Sequence, residues 1–243
     1  MEIKKVEGIV LNEKAYGETS KIINLITKEY GIIGVIAKGA RTLKSDFRVT
    51  TTKLSYGYFN ISYKEGKLST LISVDLINPL KNIMKDIEKI SYSTFILEIT
   101  EQVIKQTNKK IFDIMISSLI KIDEGYNPKI IMNIIELKYL DYLGVMPILD
   151  SCSVCGTTTN IVTLSSDKGG YVCSNCKTTE KIISDKSIKL IRLFYYVDIS
   201  KISKLEVSNT CQNEINEFLD NYYDRYTGLY LKSKNFIKNL EKV

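Results

Sequence analysis

Apolar residues alternate or cluster in short runs through the first 77 positions. Stretches 6–14, 21–28, 32–38, 54–63 and 68–76 are rich in Val, Ile, Leu and Tyr. Tyr16-Gly17-Glu18, Glu29-Tyr30-Gly31 and Lys64-Glu65-Gly66 mark turns between them. The pattern predicts five strands, with one long polar connection, residues 39–53, after the third. Five strands with such an interrupted connection suit a small Greek-key barrel of the OB type. An SH3-like barrel has a similar strand count, so the pattern leaves that alternative open.

After Pro79 the period lengthens. Ile83, Ile87, Ile90, Leu97 and Ile104 follow helical spacing, as do Phe112, Met115, Ile116 and Leu119. Asn127-Pro128 predicts an N-cap followed by proline at the first helical position, and Gly144 with Pro147 predicts the stop. Further helix is expected over 188–197, 214–226 and the terminal LKSKNFIKNL. The expected organisation is therefore an α+β multidomain chain. Residues 1–79 form the barrel, 80–149 the first part of a helical domain, 150–182 an inserted cysteine module, and 183–243 the rest of the helical domain.

Composition narrows the chemistry. The 243 residues contain no histidine and no tryptophan, which removes Ser-His and Cys-His nucleophiles, a His general base and His metal ligands. No Gly-x-x-x-x-Gly-Lys-[Ser/Thr] phosphate loop is present. Glu98/Glu101 and Asp220/Asp224 sit at helical spacing and read as solvated helix faces rather than a nuclease metal site. The formal charge is +6 and is uneven: residues 1–80 hold twelve bases against eight acids, residues 81–150 nine against ten. The excess on the barrel suits a polyanionic partner. Neither a secretion signal nor a stretch of membrane-spanning length is read, so a cytoplasmic protein with reduced thiols is expected.

Cysteines carry the sharpest motif. Cys152-x-x-Cys155 and Cys173-x-x-Cys176 stand 17 residues apart, within the separation that marks a zinc site. Each short loop points two thiolates at one ion, and a hairpin of 160–164 and 170–172 across Asp167-Lys168-Gly169-Gly170 brings the loops together. Gly156 frees the first loop to turn its amides toward a sulfur. Four thiolates close the tetrahedral shell of one structural Zn2+. Disulfide pairing and a metal-free remnant are the alternatives. A thioredoxin-like centre lacks its βαβ setting, and a zinc deaminase lacks both an open coordination position and a catalytic Glu. Cys211, in a helical pattern, reads as a small buried apolar residue.

The opening EGIVLNEKAYGETSKIINLITKEYGIIGVIAKGAR, the segment IIELKYLDYLGVMPILDSCSVCG and the tail GLYLKSKNFIKNL resemble RecO, the bacterial recombination-mediator family of DNA repair. The resemblance covers the chain in order. It implies an N-terminal OB-fold, a helical bundle and a zinc-finger module. It also implies a non-enzymatic role: binding single- and double-stranded DNA and annealing complementary strands. With RecR, such a protein loads RecA onto strands coated by single-strand-binding protein (SSB). The alternative is a scaffold that binds RecR or SSB and touches DNA only weakly.

Candidate DNA-contacting residues lie in KGARTLKSDFR, where Lys38, Arg41, Lys44 and Arg48 recur every three or four residues against a single acid, Asp46. The run follows a barrel strand, matches the family's AKGAR segment, and adjoins the strand 2–3 face on which OB-folds take oligonucleotides. Lys14 and Lys21 flank the first turn and are secondary candidates. Tyr56, Tyr58 and Tyr63 read chiefly as packing, with base stacking the alternative. The acidic, apolar-ended SSB tail calls for an apolar groove edged by Lys or Arg; Lys105, Lys109 and Lys110 are basic there, and read more simply as a solvated helix end.

Overall fold

The computed structural model describes residues 2–240. Five strands, β1 (Glu2–Tyr16), β2 (Ser20–Thr27), β3 (Gly31–Ala37), β4 (Tyr56–Tyr63) and β5 (Ser69–Asn78), close into a barrel of order β1-β2-β3-β5-β4. β4 returns to β1, and β3 meets β5 in a parallel pairing within the barrel, the arrangement of an OB-type barrel rather than a simple meander. β1 is long enough to serve two partners because its register slips between Val10 and Asn12, which turns the strand from β4 toward β2. Val6, Val10, Ile23, Leu25, Val35 and Phe59 fill the barrel.

The barrel is buried on its outside as well. Ile9, Leu11, Ile26, Leu54 and Tyr56 join the core of the helices α2 (Ile87–Thr107), α3 (Phe112–Asp123) and α4 (Pro128–Tyr142). α4 starts as its sequence predicts: the Asn127 side chain accepts the N–H groups of Lys129 and Ile130, with Pro128 at the first turn. It ends with Gly144 N–H on Asp141 O and Val145 N–H on Leu140 O, both 3.0 Å, a Schellman closure. A two-stranded hairpin, β6 (Ile161–Ser165) and β7 (Gly170–Cys173), follows, and then α5 (Asp185–Tyr196), α6 (Asn209–Tyr226) and α7 (Lys232–Leu240). Among the described residues no helix is long and apolar enough to cross a membrane.

Four expectations change in the folded chain. Ile83 belongs to a turn, not to α2: Asp86 caps that helix by accepting from Glu88 and Lys89, which leaves Ile87 outside the core at 62% exposure. The 39–53 connection is not uniformly polar, because a short helix, α1 (Phe47–Thr50), forms within it and Ala40 and Thr51 are buried. α6 starts at Asn209 rather than 214, since Ser208 caps it through Cys211 N–H. Glu98 and Asp220 are not simply solvated: Glu98 accepts the Lys232 and Ser233 N–H groups of α7, both at 2.9 Å, and Asp220 pairs with Lys234 at 2.7 Å. Cys211 is buried, as its helical setting predicts.

Candidate metal centre and nucleic-acid interface

Two tight turns present the paired cysteines. Cys152 N–H donates to Thr157 O at 2.7 Å and Gly156 N–H to Cys152 O at 2.9 Å, with Gly156 at φ +76°. In the second turn, Cys176 and Lys177 N–H both reach Cys173 O, at 3.2 and 3.0 Å. The hairpin register, Ile161 opposite Cys173, brings the turns together. The four sulfurs lie within 4.8 Å of one another, and Cys155 Sγ is 3.7 Å from Cys173 Sγ. A tetrahedron of sulfurs about 2.3 Å from a central ion has edges of about 3.8 Å, so the set fits one metal ion. None of the five cysteines is in a disulfide.

The thiols of the cluster differ in their electrostatics. Burial pushes the Cys152 thiol up, but N–H groups of Cys173, Cys155 and Val154 aimed at the sulfur outweigh it and hold the thiol at about 6. Hydrogen bonds with the Cys155 and Cys173 sulfurs push Cys176 up to about 12. Lys168, in the hairpin turn, braces the second cysteine turn: its ammonium donates to Cys176 O at 2.9 Å and Thr178 Oγ1 at 3.0 Å and pairs with Glu180 at 2.7 Å.

The basic candidates distribute unequally over the barrel. Asn12 pairs with Asn24, Lys14 with Ile22 and Tyr16 with Ser20, so Lys14 and Tyr16 share the face turned away from the barrel interior. Lys21 opposes Ala15 and Ala37 in the alternate register, on the other face, and its charge is met by Glu13. Lys38 leaves the end of β3. Arg41 ties the connection to the β1–β2 turn: its N–H reaches Thr19 O at 2.8 Å and its guanidinium Gly17 O at 3.1 Å. Lys44 and Arg48 are exposed further along, Arg48 on α1. Among the described residues Lys14, Lys38, Lys44 and Arg48 have no carboxylate within ion-pair distance.

The family comparisons divide the chain in the same place as the architecture. Residues 1–80 match the model "Recombination protein O N terminal" and residues 84–235 match "Recombination protein O C terminal". The chain belongs to the RecO family. "DNA repair protein RecO" of Listeria monocytogenes serotype 4a (strain HCC23) is 34% identical over 99% of this chain and 96% of its own length. The protein of the same name from Bacillus pumilus (strain SAFR-032) is 37% identical over 98% and 95%. That from Bacillus cytotoxicus is 33% identical over 98% of both.

In this RecO-family barrel the three β4 tyrosines do different work. Tyr56 is buried against Phe112 and donates to Glu7 at 2.6 Å; burial, then that carboxylate, raises its phenol strongly. Lys5 lies over Tyr58 at 4.3 Å, and Lys4 lies over both Tyr30 and Tyr63, at 4.8 and 4.6 Å. A groove of about 570 Å3 separates the β2–β3 turn from the α2–α3 link. Ile32, Ile104, Ile111 and Phe112 give it an apolar floor, with Lys109 and Lys110 on its rim and Lys105 paired to Glu101. Tyr16, 51% exposed, reads in the sequence as part of a turn; only the strand register puts it on the outward face.

Proposed function

We propose that this RecO-family chain is a non-enzymatic mediator that binds single- and double-stranded DNA through its barrel and anneals complementary strands. With RecR it helps load RecA onto SSB-coated single strands, which places its work on nucleoid DNA in the cytoplasm. The observation that carries the reading is the gathering of cations at one end of the barrel. Lys14 lies on the outer face, Lys38 follows β3, and Arg41 pins the connection bearing Lys44 to the β1–β2 turn. Strands meeting to anneal repel through their phosphates, and a surface holding both screens that repulsion. Such binding is independent of sequence and weakens with salt, with a log–log slope of about −0.7 per phosphate contact on single strands.

The four cysteines hold one Zn2+ in this reading. Cys152, Cys155, Cys173 and Cys176 would hold that ion between the two turns, where it would supply a structural cross-link rather than chemistry on a substrate. The chain's own residues orient the set: backbone N–H groups at Cys152 and Lys168 at the Cys176 carbonyl. The groove beside Phe112, apolar with Lys109 and Lys110 at its edge, supports placing the SSB tail there. Loss of capture when SSB lacks its tail, or when Lys109 and Lys110 become Glu, is the expected result.

Annealing of complementary single strands coated with the cognate SSB tests the central claim. Wild type is compared with Lys14→Glu/Lys38→Glu/Lys44→Glu at two salt concentrations, after circular dichroism shows both folded. Arg41 is left intact because it braces the turn. Annealing by wild type, slowed by salt and lost in the variant, is expected. Equal annealing by both moves DNA off this end, and none by either favours a scaffold for RecR or SSB.

A further inference from the structure

Tyr16 ends β1 on the outward face, opposite Ser20, and the residue is 51% exposed. Lys14 stands two residues before it on the same face. Lys38 follows directly on β3, whose Ala37 pairs with Lys21, and Gly39 N–H on Ser20 Oγ at 3.3 Å holds this stretch of chain against the start of β2. Half-buried Ile22 and Ile36 extend the face between these cations. The turn after Tyr16 is braced, because Gly17 O and Thr19 O both accept from Arg41. Elsewhere on the barrel, ammonium groups lie over Tyr30, Tyr58 and Tyr63, and Tyr56 is buried. Among the described residues no cation and no second ring covers Tyr16. Of the nearby acids, Glu13 lies on the opposite face and is met by Lys21, which leaves Glu18 in the turn.

An uncovered ring flanked by two ammonium groups and aliphatic side chains combines a platform for a base with cations for the adjoining phosphates. A duplex keeps its bases stacked on one another and offers such a face only its backbone. We propose that Tyr16 stacks on an unpaired base, so that the outer face of β1–β3 prefers single-stranded to double-stranded DNA. This rests on the DNA-binding reading above and adds the strand state that the face selects.

The chain has no tryptophan, so Tyr16→Trp places a lone tryptophan, excited selectively over the tyrosines at the red edge of its absorption, at the proposed contact. It is titrated with an oligothymidylate, an abasic oligomer of equal length and a duplex, with anisotropy of the labelled DNA following binding. Oligothymidylate alone should quench the emission. Tyr16→Ala should weaken oligothymidylate binding by about five-fold or more and change abasic and duplex binding by less than about two-fold, with Tyr16→Phe close to wild type. Saturation by oligothymidylate without a change in emission overturns the proposal, as does an equal loss on all three ligands. Lys14→Glu/Lys38→Glu separates the two levels. If it weakens binding to all three while Tyr16→Ala spares them, only the stacking fails. If it spares all three, this face is not the DNA site and both fail.

Discussion

Gly170 offers a sharp test of how the cysteine module is held to the helices. It opens β7 and runs against Ile148, in the segment after α4. Ile148 N–H donates to Gly169 O and Ile148 O accepts Tyr171 N–H, each at 2.9 Å. A Cβ at Gly170 falls 2.2 Å from Ile148 O and 2.7 Å from Ile148 N, at a φ of +149° that side chains rarely adopt. Carbon–oxygen contacts settle at about 3.3 Å or more, so the two segments must part by about 1 Å in Gly170→Ala. That separation breaks both hydrogen bonds, at about 0.5–1.5 kcal/mol each, on top of about 1–3 kcal/mol of backbone strain. The expected cost is about 2–6 kcal/mol, with metal loss because Cys173 ends the same strand. Gly169→Ala is the control: its φ is +78°, and the nearest atom to an added Cβ is Tyr226 Oη at 3.8 Å. It should cost only the left-handed backbone penalty, about 1–2 kcal/mol. Urea unfolding followed by far-UV circular dichroism, with metal content measured alongside, compares them. Equal costs for the two variants, or a Gly170→Ala protein within about 0.5 kcal/mol of wild type, would refute the close-approach argument.

Other contacts make narrower predictions. Glu98→Ala removes the acceptor for the first N–H groups of α7 and should cost about 1–2 kcal/mol locally, seen as faster hydrogen exchange at Lys232 and Ser233; unchanged exchange counts against the cap. Lys234 is mostly buried beside Asp220, at 2.7 Å, and Glu136, at 3.5 Å, so Lys234→Met should cost about 1–3 kcal/mol in urea by removing one cation from this cluster. A loss under about 1 kcal/mol would mean that the carboxylates are satisfied without it. Hydrogen bonds from Lys168 and then Thr178 N–H hold Glu180 at about 2. A depressed carboxylate stabilises the fold above its unfolded pKa of about 4.3, and that share fades as the pH falls toward about 2. In Lys168→Gln the carboxyl resonance of Glu180 should titrate at higher pH than in wild type, though still below the ordinary value because Thr178 N–H remains; an unmoved titration rejects Lys168 as the leading cause.

Local spacing made much of this protein legible from its sequence. Period-two runs located all five barrel strands, Asn127-Pro128 located the start of α4, and the two Cys-x-x-Cys pairs named every residue of the four-cysteine cluster. Each of these signals is contained in a few consecutive residues, or in two short loops joined by one hairpin. The caps at Asp86 and Ser208 were equally local, but the apolar periodicity around them extended across one boundary and stopped short of the other.

Only the tertiary structure decided which faces the barrel residues take and what the charged side chains meet. Lys14 and Lys21 are alike in sequence, yet the strand register turns one outward and sets the other against Glu13. Tyr16 comes to share the face of Lys14 through pairing with Ser20 of the next strand, and Glu98 caps a helix that begins 134 residues later at Lys232. A one-residue change of register reverses every side chain of a strand, and contacts between distant segments depend on how whole elements pack. The identities of the residues therefore determined which elements form and which atoms can bind a metal, while the closure of the barrel against the helices determined which of those side chains stand together.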